Sequence, residues 1–366
     1  MDESLDSAQP GVESPDGSHG HAPRAVRRDA VRSTDAGERP LLRVENLVKH
    51  FEKGGGLLGG PRRRVYAVNG ISLSVRRGEV LGVVGESGCG KSTLGKCILR
   101  LIPPTSGRVV FDGVDVTTAS RSELRALRRR MQMVFQDPYS SLNPRMTART
   151  MLREVLRFHR AVPRDQVERR IVQLLEDVEL GADALHRFPH EFSGGQRQRL
   201  NIARALAVDP DFLVADEPVS ALDVSVQAQI LNLLQDLRQK RRLTMLFISH
   251  DLKVVEHFCD RVMVVYRGFC VEDIAADRLY DHAAHPYTRV LLEAIPPDDP
   301  CQRKEPQMLR GDVPSPSTPV SGCPFVARCP IAEPRCREEN PPLESVGDGH
   351  RVACWAVPTA APAETA

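Results

Sequence analysis

The sequence predicts an α/β fold built on a mainly parallel sheet with helices on both faces. Three observations predict it. Short continuous apolar runs recur along the middle of the chain, helix-period stripes separate them, and polar motifs follow three of the runs at the same end. The runs are Val80-Leu81-Gly82-Val83-Val84, Phe212-Leu213-Val214-Ala215, Thr244 to Ser249, and Val262 to Val265. A strand that is apolar on both sides needs cover on both faces, and the intervening helices can supply it. Val167, Ile171, Leu174, Leu175 and Val178 form one stripe; Ile230, Leu231, Leu233, Leu234 and Leu237 form another. In open sheets of this kind ligands bind outside the carboxyl ends of the strands, so the polar motifs mark a candidate site.

The bulk properties narrow the setting. A chain of 366 residues holds one large domain with an appendage, or two modest ones. With 41% apolar and 27% charged residues it has the composition of an ordinary globular protein. A net charge of +2 gives no global argument for nucleic acid, and no nucleic-acid partner is expected. The basic runs Arg62 to Arg64, Arg128 to Arg130 and Lys240 to Arg242 read as solvated faces. No stretch approaches the length of apolar sequence that spans a bilayer. Met1-Asp2-Glu3 opens without an apolar run, so a secretory leader is not expected and the cytoplasm is the expected location. There, nine cysteines argue for free thiols or metal ligands over disulfides.

Along the chain, residues 1 to 39 are rich in Ser, Asp, Gly, Pro and Arg and are expected to form a disordered tail. The main domain is expected over 40–295, opening on the strand Leu41 to Val44, with a flexible loop at Gly54 to Gly60. A boundary is expected near residue 296. Beyond it lie a Pro-rich, cysteine-bearing extension to 357 and a tail over 358–366.

The segment Gly85-Glu86-Ser87-Gly88-Cys89-Gly90-Lys91-Ser92 fits G-x-x-x-x-G-K-[ST] between a strand and a helix. Its glycines let the backbone curl so that amides meet phosphate oxygens, and the helix beginning near Lys91 offers its positive end. In that arrangement Lys91 reaches the β- and γ-phosphates and the Ser92 hydroxyl binds Mg²⁺. Thr93 continues the nucleotide-binding segment. Asp216 closes the second buried run, where a Mg²⁺-associated carboxylate is needed, and Glu217 suits a general base for the attacking water. Cys89, beside Lys91 and a helix start, is expected to favour thiolate.

Phe192-Ser193-Gly194-Gly195-Gln196 resembles the ABC signature, with Phe for the usual Leu. Gln136 matches the Q-loop, Ser220-Ala221-Leu222-Asp223 the D-loop, His250 the switch histidine, and Tyr66 the aromatic that stacks on adenine. The resemblance covers about residues 41 to 295. It implies a P-loop NTPase (RecA-like) core, an antiparallel β subdomain, and a helical subdomain around 140 to 205. It also implies ATP with Mg²⁺ held by Ser92, Gln136 and Asp216, and catalysis by Glu217, His250 and Gln136. Ser193, Gly194, Gly195 and Gln196 are expected to complete the site of a second ATPase subunit, identical or sister, at a helix N-terminus that cradles the γ-phosphate.

Longer stretches narrow the resemblance to oligopeptide and dipeptide importers of the OppF/DppF kind. They are Phe135 to Pro144, His190 to Ser193, Asp216 to Asp223, Cys89 with the run Phe192 to Arg199, and His285-Pro286-Tyr287-Thr288 through Pro314-Ser315-Pro316. This implies membrane permease partners, an indirect extracytoplasmic solute-binding protein, and a place on the cytoplasmic face of the membrane. Related importers of nickel or small solutes, and soluble non-transport ABC ATPases, are the alternatives. Tyr139, Leu142 and Met146 are expected to line a groove for a permease helix.

Cys323, Cys329, Cys336 and Cys354 lie in a Pro-rich stretch with little apolar material. A metal staple suits such a segment. Four thiolates fit a [4Fe–4S] cluster or tetrahedral Zn²⁺, and free thiols are the third reading. Importer ATPases with this extension include iron–sulfur examples, a likeness that favours the cluster. Cys301 and His350 are substitute ligands, while Cys97, Cys259 and Cys270 read as small buried hydrophobes.

Overall fold

A computed structural model describes residues 39–53, 63–295 and 314–359. The expected N-terminal tail, the Gly54 to Gly60 loop, the boundary at 296, Cys301 and the end of the C-terminal tail lie outside the described residues. The described residues form twelve strands: β1 (Leu42–Lys53), β2 (Arg63–Val75), β3 (Val80–Val84), β4 (Ser106–Phe111), β5 (Val114–Asp115), β6 (Met131–Val134), β7 (Phe212–Asp216), β8 (Thr244–Ile248), β9 (Arg261–Tyr266), β10 (Phe269–Ala275), β11 (Glu344–Gly347) and β12 (His350–Val352).

They form two sheets. The order β2-β1-β4-β5 is antiparallel, and the larger sheet runs β11-β12-β10-β9-β3-β8-β7-β6. Five of its strands, from β9 to β6 at the edge, are parallel, as the apolar runs predict. The alternation of side chains along them separates two cores. In β7, Leu213 and Ala215 join a core shared with the helical lobe, while Phe212 and Val214 join one shared with the antiparallel sheet. All five β7 residues are buried, because the sheet is covered on both sides.

The helices are α1 (Lys91–Ile98), α2 (Arg121–Arg130), α3 (Pro138–Ser141), α4 (Ala148–His159), α5 (Val167–Asp177), α6 (Gly194–Leu206), α7 (Val224–Arg241), α8 (Leu252–Phe258), α9 (Leu279–His282), α10 (Pro286–Glu293) and α11 (Arg335–Glu338). The stripe Val167, Ile171, Leu174, Leu175 is the buried face of α5, against α4 and α6. Ser193 starts α6 through a capping box: its hydroxyl accepts from the Gln196 amide, and its own amide donates to Gln196 Oε1.

The C-terminal segment departs from the expected separate appendage. Residues 344–352 add a hairpin to the large sheet by pairing β12 with β10, Glu272 opposite Val352 and Asp273 opposite Arg351. A buried polar knot fixes that register. Glu272 accepts from His350 Nε2 at 2.8 Å and from the Ala284 amide at 2.7 Å, and Arg351 pairs with Asp273. Cys323, Phe325 and Cys336 join the helical-side core, so the segment brings more apolar contact than its composition suggested. Among the described residues no helix is long and apolar enough to cross a membrane.

Candidate functional site

β3 ends at Val84 and the chain turns through Gly85 to Gly90 into α1. Two of these positions admit only glycine. Gly85 has φ 151 and Gly90 φ 105, and a Cβ would fall 2.1 Å from the Val265 carbonyl oxygen in the first case and 2.0 Å from that of Ala67 in the second. Gly90 also caps α1 without a side-chain acceptor, leaving the first-turn amides for an anion. Lys91 is 4% exposed, and its ammonium donates to the carbonyls of Gly85 at 2.7 Å and Glu86 at 3.1 Å.

Ser92 Oγ donates to Asp216 Oδ1 at 2.6 Å, bringing together two side chains 124 positions apart. Asp216 is almost wholly buried at the end of β7. Burial pushes its carboxyl above the usual carboxylate range, opposed by the Ser92 hydroxyl and the ammonium groups of Lys96 and Lys91. Two hard oxygen donors, one of them a buried carboxylate short of positive charge, suit a small divalent cation.

Glu217 turns elsewhere. Its φ of 45 lies in the left-handed region, its amide donates to Ile248 O at 3.0 Å, and its carboxylate leaves the Ser92–Asp216 pair. Gln136 Nε2 donates to Glu217 Oε2 at 2.8 Å, and His250 Nδ1 stands 3.5 Å from the same oxygen. All of the expected catalytic side chains therefore meet at one carboxylate. Thr93 follows in the first turn of α1.

Tyr66 lies on β2 with its ring edge-on to His50, centroids 4.6 Å apart, and its amide donates to Pro316 O at 3.0 Å. Ser193, Gly194, Gly195 and Gln196 sit at the start of α6. Among the described residues no hydrogen bond joins them to Gly85–Thr93.

Three expectations change. Cys89 is buried, and desolvation raises its thiol pKa despite Lys91 Nζ at 3.9 Å, so the thiol form is favoured over thiolate. Leu142 is 2% exposed within the core and cannot line a groove, whereas Tyr139 is 63% exposed under the Arg197 guanidinium, 4.0 Å from its ring centroid. His350 faces Glu272, so it is no substitute ligand.

The cysteines are a mixed result. Cys323, Cys329, Cys336 and Cys354 line one cavity with Phe325, Ile331 and Trp355. Burial raises the thiols of Cys329 and Cys354, and that of Cys323 to about 11. Yet among the described residues no group of three or more His, Cys, Asp or Glu is arranged to hold a metal ion, so neither the zinc nor the cluster expectation is met by a preformed site. Cys97 and Cys259 are buried as expected, and Cys270 is partly so.

Two contacts to the loop come from the C-terminal part of the chain, and no sequence pattern linked either residue to the phosphate loop. Glu86 donates its amide to Tyr287 Oη at 2.9 Å, and its carboxylate accepts from Arg328 Nη1 at 3.1 and 3.0 Å. Tyr287 is 201 positions and Arg328 242 positions away in sequence, and only the fold juxtaposes them with Glu86.

Comparison with known proteins fits this geometry. Residues 68–220 match the family described as ABC transporter, and residues 271–336 match the oligopeptide/dipeptide transporter C-terminal region. A Brucella ovis protein named as a peptide import ATP-binding protein is 53% identical over 87% of this chain and 98% of its own length. The oligopeptide transport ATP-binding protein AppF of Bacillus subtilis is 45% identical over 88% of this chain and 98% of its own. Among solved structures, the ATP-binding cassette MJ0796, a dimer in a post-hydrolysis state with ADP and Pi, shares 30% identity at TM-score 0.57, covering 64% of this chain and 98% of that one. Clostridium perfringens cbiO1, part of the ABC transporter complex cbiONQ, shares 27% at 0.56, covering 66% and 91%. The chain belongs to the ABC transporter family, as an ATP-hydrolysing subunit of its oligopeptide/dipeptide branch.

Proposed function

We propose that this chain binds ATP at Gly85 to Thr93, hydrolyses it within a dimer of cassettes, and drives peptide import through membrane permease subunits. The observation that carries the reading is the closure of Ser92 onto Asp216, beside Lys91 and next to a Glu217 shared by Gln136 and His250. Gly88, Gly90 and the α1 amides surround the phosphates, and Tyr66 stacks on the adenine. Lys91 exchanges its carbonyl partners for the β- and γ-phosphate oxygens. Ser92, Asp216 and Gln136 would hold Mg²⁺, which when bound would neutralise charge on the transferred phosphoryl group. Glu217 takes the proton of the attacking water, and His250 steadies the carboxylate and the γ-phosphate side.

Ser193 to Gln196 form the N-terminus of α6, and that placement supports their service to a second subunit's γ-phosphate. Hydrolysis is then tied to closure of the pair, and the exposed Tyr139 beside the α6 start passes it to the permease on the cytoplasmic face. Kinship with the Brucella and Bacillus proteins supports peptide cargo, and an extracytoplasmic binding protein is part of the same proposal. Affinity purification of the full chain from membranes tests this assignment: permease subunits and a peptide-stimulated ATPase are expected, and turnover with no membrane partner overturns the importer reading.

The thiol set carries a [4Fe–4S] cluster in this proposal, held by Cys323, Cys329, Cys336 and Cys354. Its support is chemical: four thiols and no carboxylate line one cavity, together with His285 and otherwise apolar side chains. Bound there, the cluster would supply a structural cross-link. Anaerobic purification should give absorbance near ~400 nm with stoichiometric iron; colourless, iron-free protein rejects it.

A further inference from the structure

Glu86 is the only acid within Gly85 to Ser92, where a polyphosphate has to approach. An unpaired carboxylate at that position would repel the ligand the loop is built to hold. It is not unpaired. Arg328 Nη1 reaches both of its carboxylate oxygens, at 3.1 and 3.0 Å, and Tyr287 Oη holds its amide at 2.9 Å. Arg328 is itself 8% exposed, with its guanidinium 6.0 Å from the Tyr266 ring centroid.

The backbone that carries Arg328 is a turn made by the cysteine segment. The Arg328 amide donates to Phe325 O at 3.0 Å, the Val326 amide to Cys323 O at 3.2 Å, and the Cys323 amide to Cys336 O at 2.8 Å. Phe325 wedges between Tyr266 and Tyr287, centroids 5.3 and 5.4 Å away. One rigid unit therefore holds Glu86 from its amide and from its carboxylate together.

We propose that Arg328 is a positioning residue for ATP: it neutralises Glu86 and fixes the direction of its carboxylate, so that the phosphate loop accepts a polyphosphate. The proposal rests on the ATP-site reading above and extends the nucleotide site to a residue of the C-terminal segment. Its signature is conditional. Arg328 matters to ATP only while Glu86 carries a charge.

The test titrates MgATP against the full chain as wild type, R328Q, E86Q and R328Q/E86Q. In the wild-type background R328Q is expected to weaken binding about tenfold and to raise the ATPase KM alike, with kcat changed less than about twofold. In the E86Q background the same change is expected to alter binding by less than about twofold. The wild-type loss shrinks at high KCl, because it is electrostatic. R328Q binding as wild type does, or losing as much without Glu86 as with it, overturns the proposal. If R328Q fails to fold, a double variant that folds and binds supports it, and one that is unfolded overturns it. Wild-type chain that fails to bind MgATP overturns the nucleotide reading, and this one with it.

Discussion

Gln136 and Glu217 share a hydrogen bond of 2.8 Å, from the amide nitrogen of one to the carboxylate of the other, across 81 positions of sequence. His250 approaches the same carboxylate oxygen at 3.5 Å. Gln136 is exposed, on the segment that leads from β6 to α3 and the surface residue Tyr139. Movement of that segment would move a hydrogen-bond donor off the proposed general base, a mechanical route from the proposed docking face to Glu217.

Replacing Glu217 with Gln keeps the shape and removes the base. Phosphate release should fall by about 10²- to 10⁴-fold, the usual worth of a positioned base. MgATP binding should persist, and a dimer should accumulate on size exclusion with ATP. Turnover that survives the change would remove Glu217 from the role.

Asp216 ties stability to pH. Its folded-state pKa lies above the usual carboxylate value, so the folded protein binds this proton more tightly than the unfolded chain does. The stability it contributes is complete below the unfolded carboxylate pKa and is lost as pH rises through the folded value. Above the folded value the nucleotide-free protein bears a buried anion, and D216N should raise its Tm there. The same variant should lose the further rise that MgATP gives the wild type. Thermal melts over a pH series, with and without MgATP, check both halves.

Cys89 should alkylate slowly. Its side chain is buried and its thiol pKa is raised by desolvation, so little thiolate meets the reagent at neutral pH. Mass-spectrometric labelling should show it reacting far more slowly than in denatured chain, faster with rising pH, and more slowly still with MgATP present. Fast labelling at pH 7 would contradict the buried-thiol geometry.

Tyr139 and Leu142 separate docking from folding. Leu142→Asp buries a charge in the helical core and should cost about 3 kcal/mol or more of stability. Tyr139→Ala removes an exposed ring and one cation–π contact, about 1 kcal/mol at most. Only the second should keep the Tm while reducing recovery with membranes and transport-coupled turnover.

Much of this was legible in the residues. The four apolar runs became central parallel strands because continuous burial leaves few other solutions, and the stripe from Val167 to Leu175 became a buried helix face. Motif order singles out the loop, Ser92, Asp216, Glu217, Gln136 and His250; the fold pairs Ser92 with Asp216 and brings Gln136 and His250 to Glu217. Where a residue's behaviour depends on competing environments, sequence was a poor guide. Cys89 has a lysine and a helix start nearby, but its depth outweighs both. Leu142 lies between two exposed-looking turns, yet its side chain points inward. Arg328 carries no local pattern, and the stretch that contains Tyr287 gave no hint of a contact with Glu86; both contacts arise only where the C-terminal part of the chain meets the loop.

The C-terminal hairpin also decides how the molecule meets others in solution. β10 pairs with β9 on one side and, over Glu272 and Asp273, with β12 on the other, so the middle of its outer edge is covered where the larger sheet would otherwise stop. The outermost strand is then β11, four residues long, with Glu344 and Ser345 exposed. A short polar border recruits foreign strands poorly. A chain ended at Ile295 would instead present the whole of Phe269–Ala275 as an open template, and aggregation would follow from the missing border before any loss of ATP chemistry could be observed.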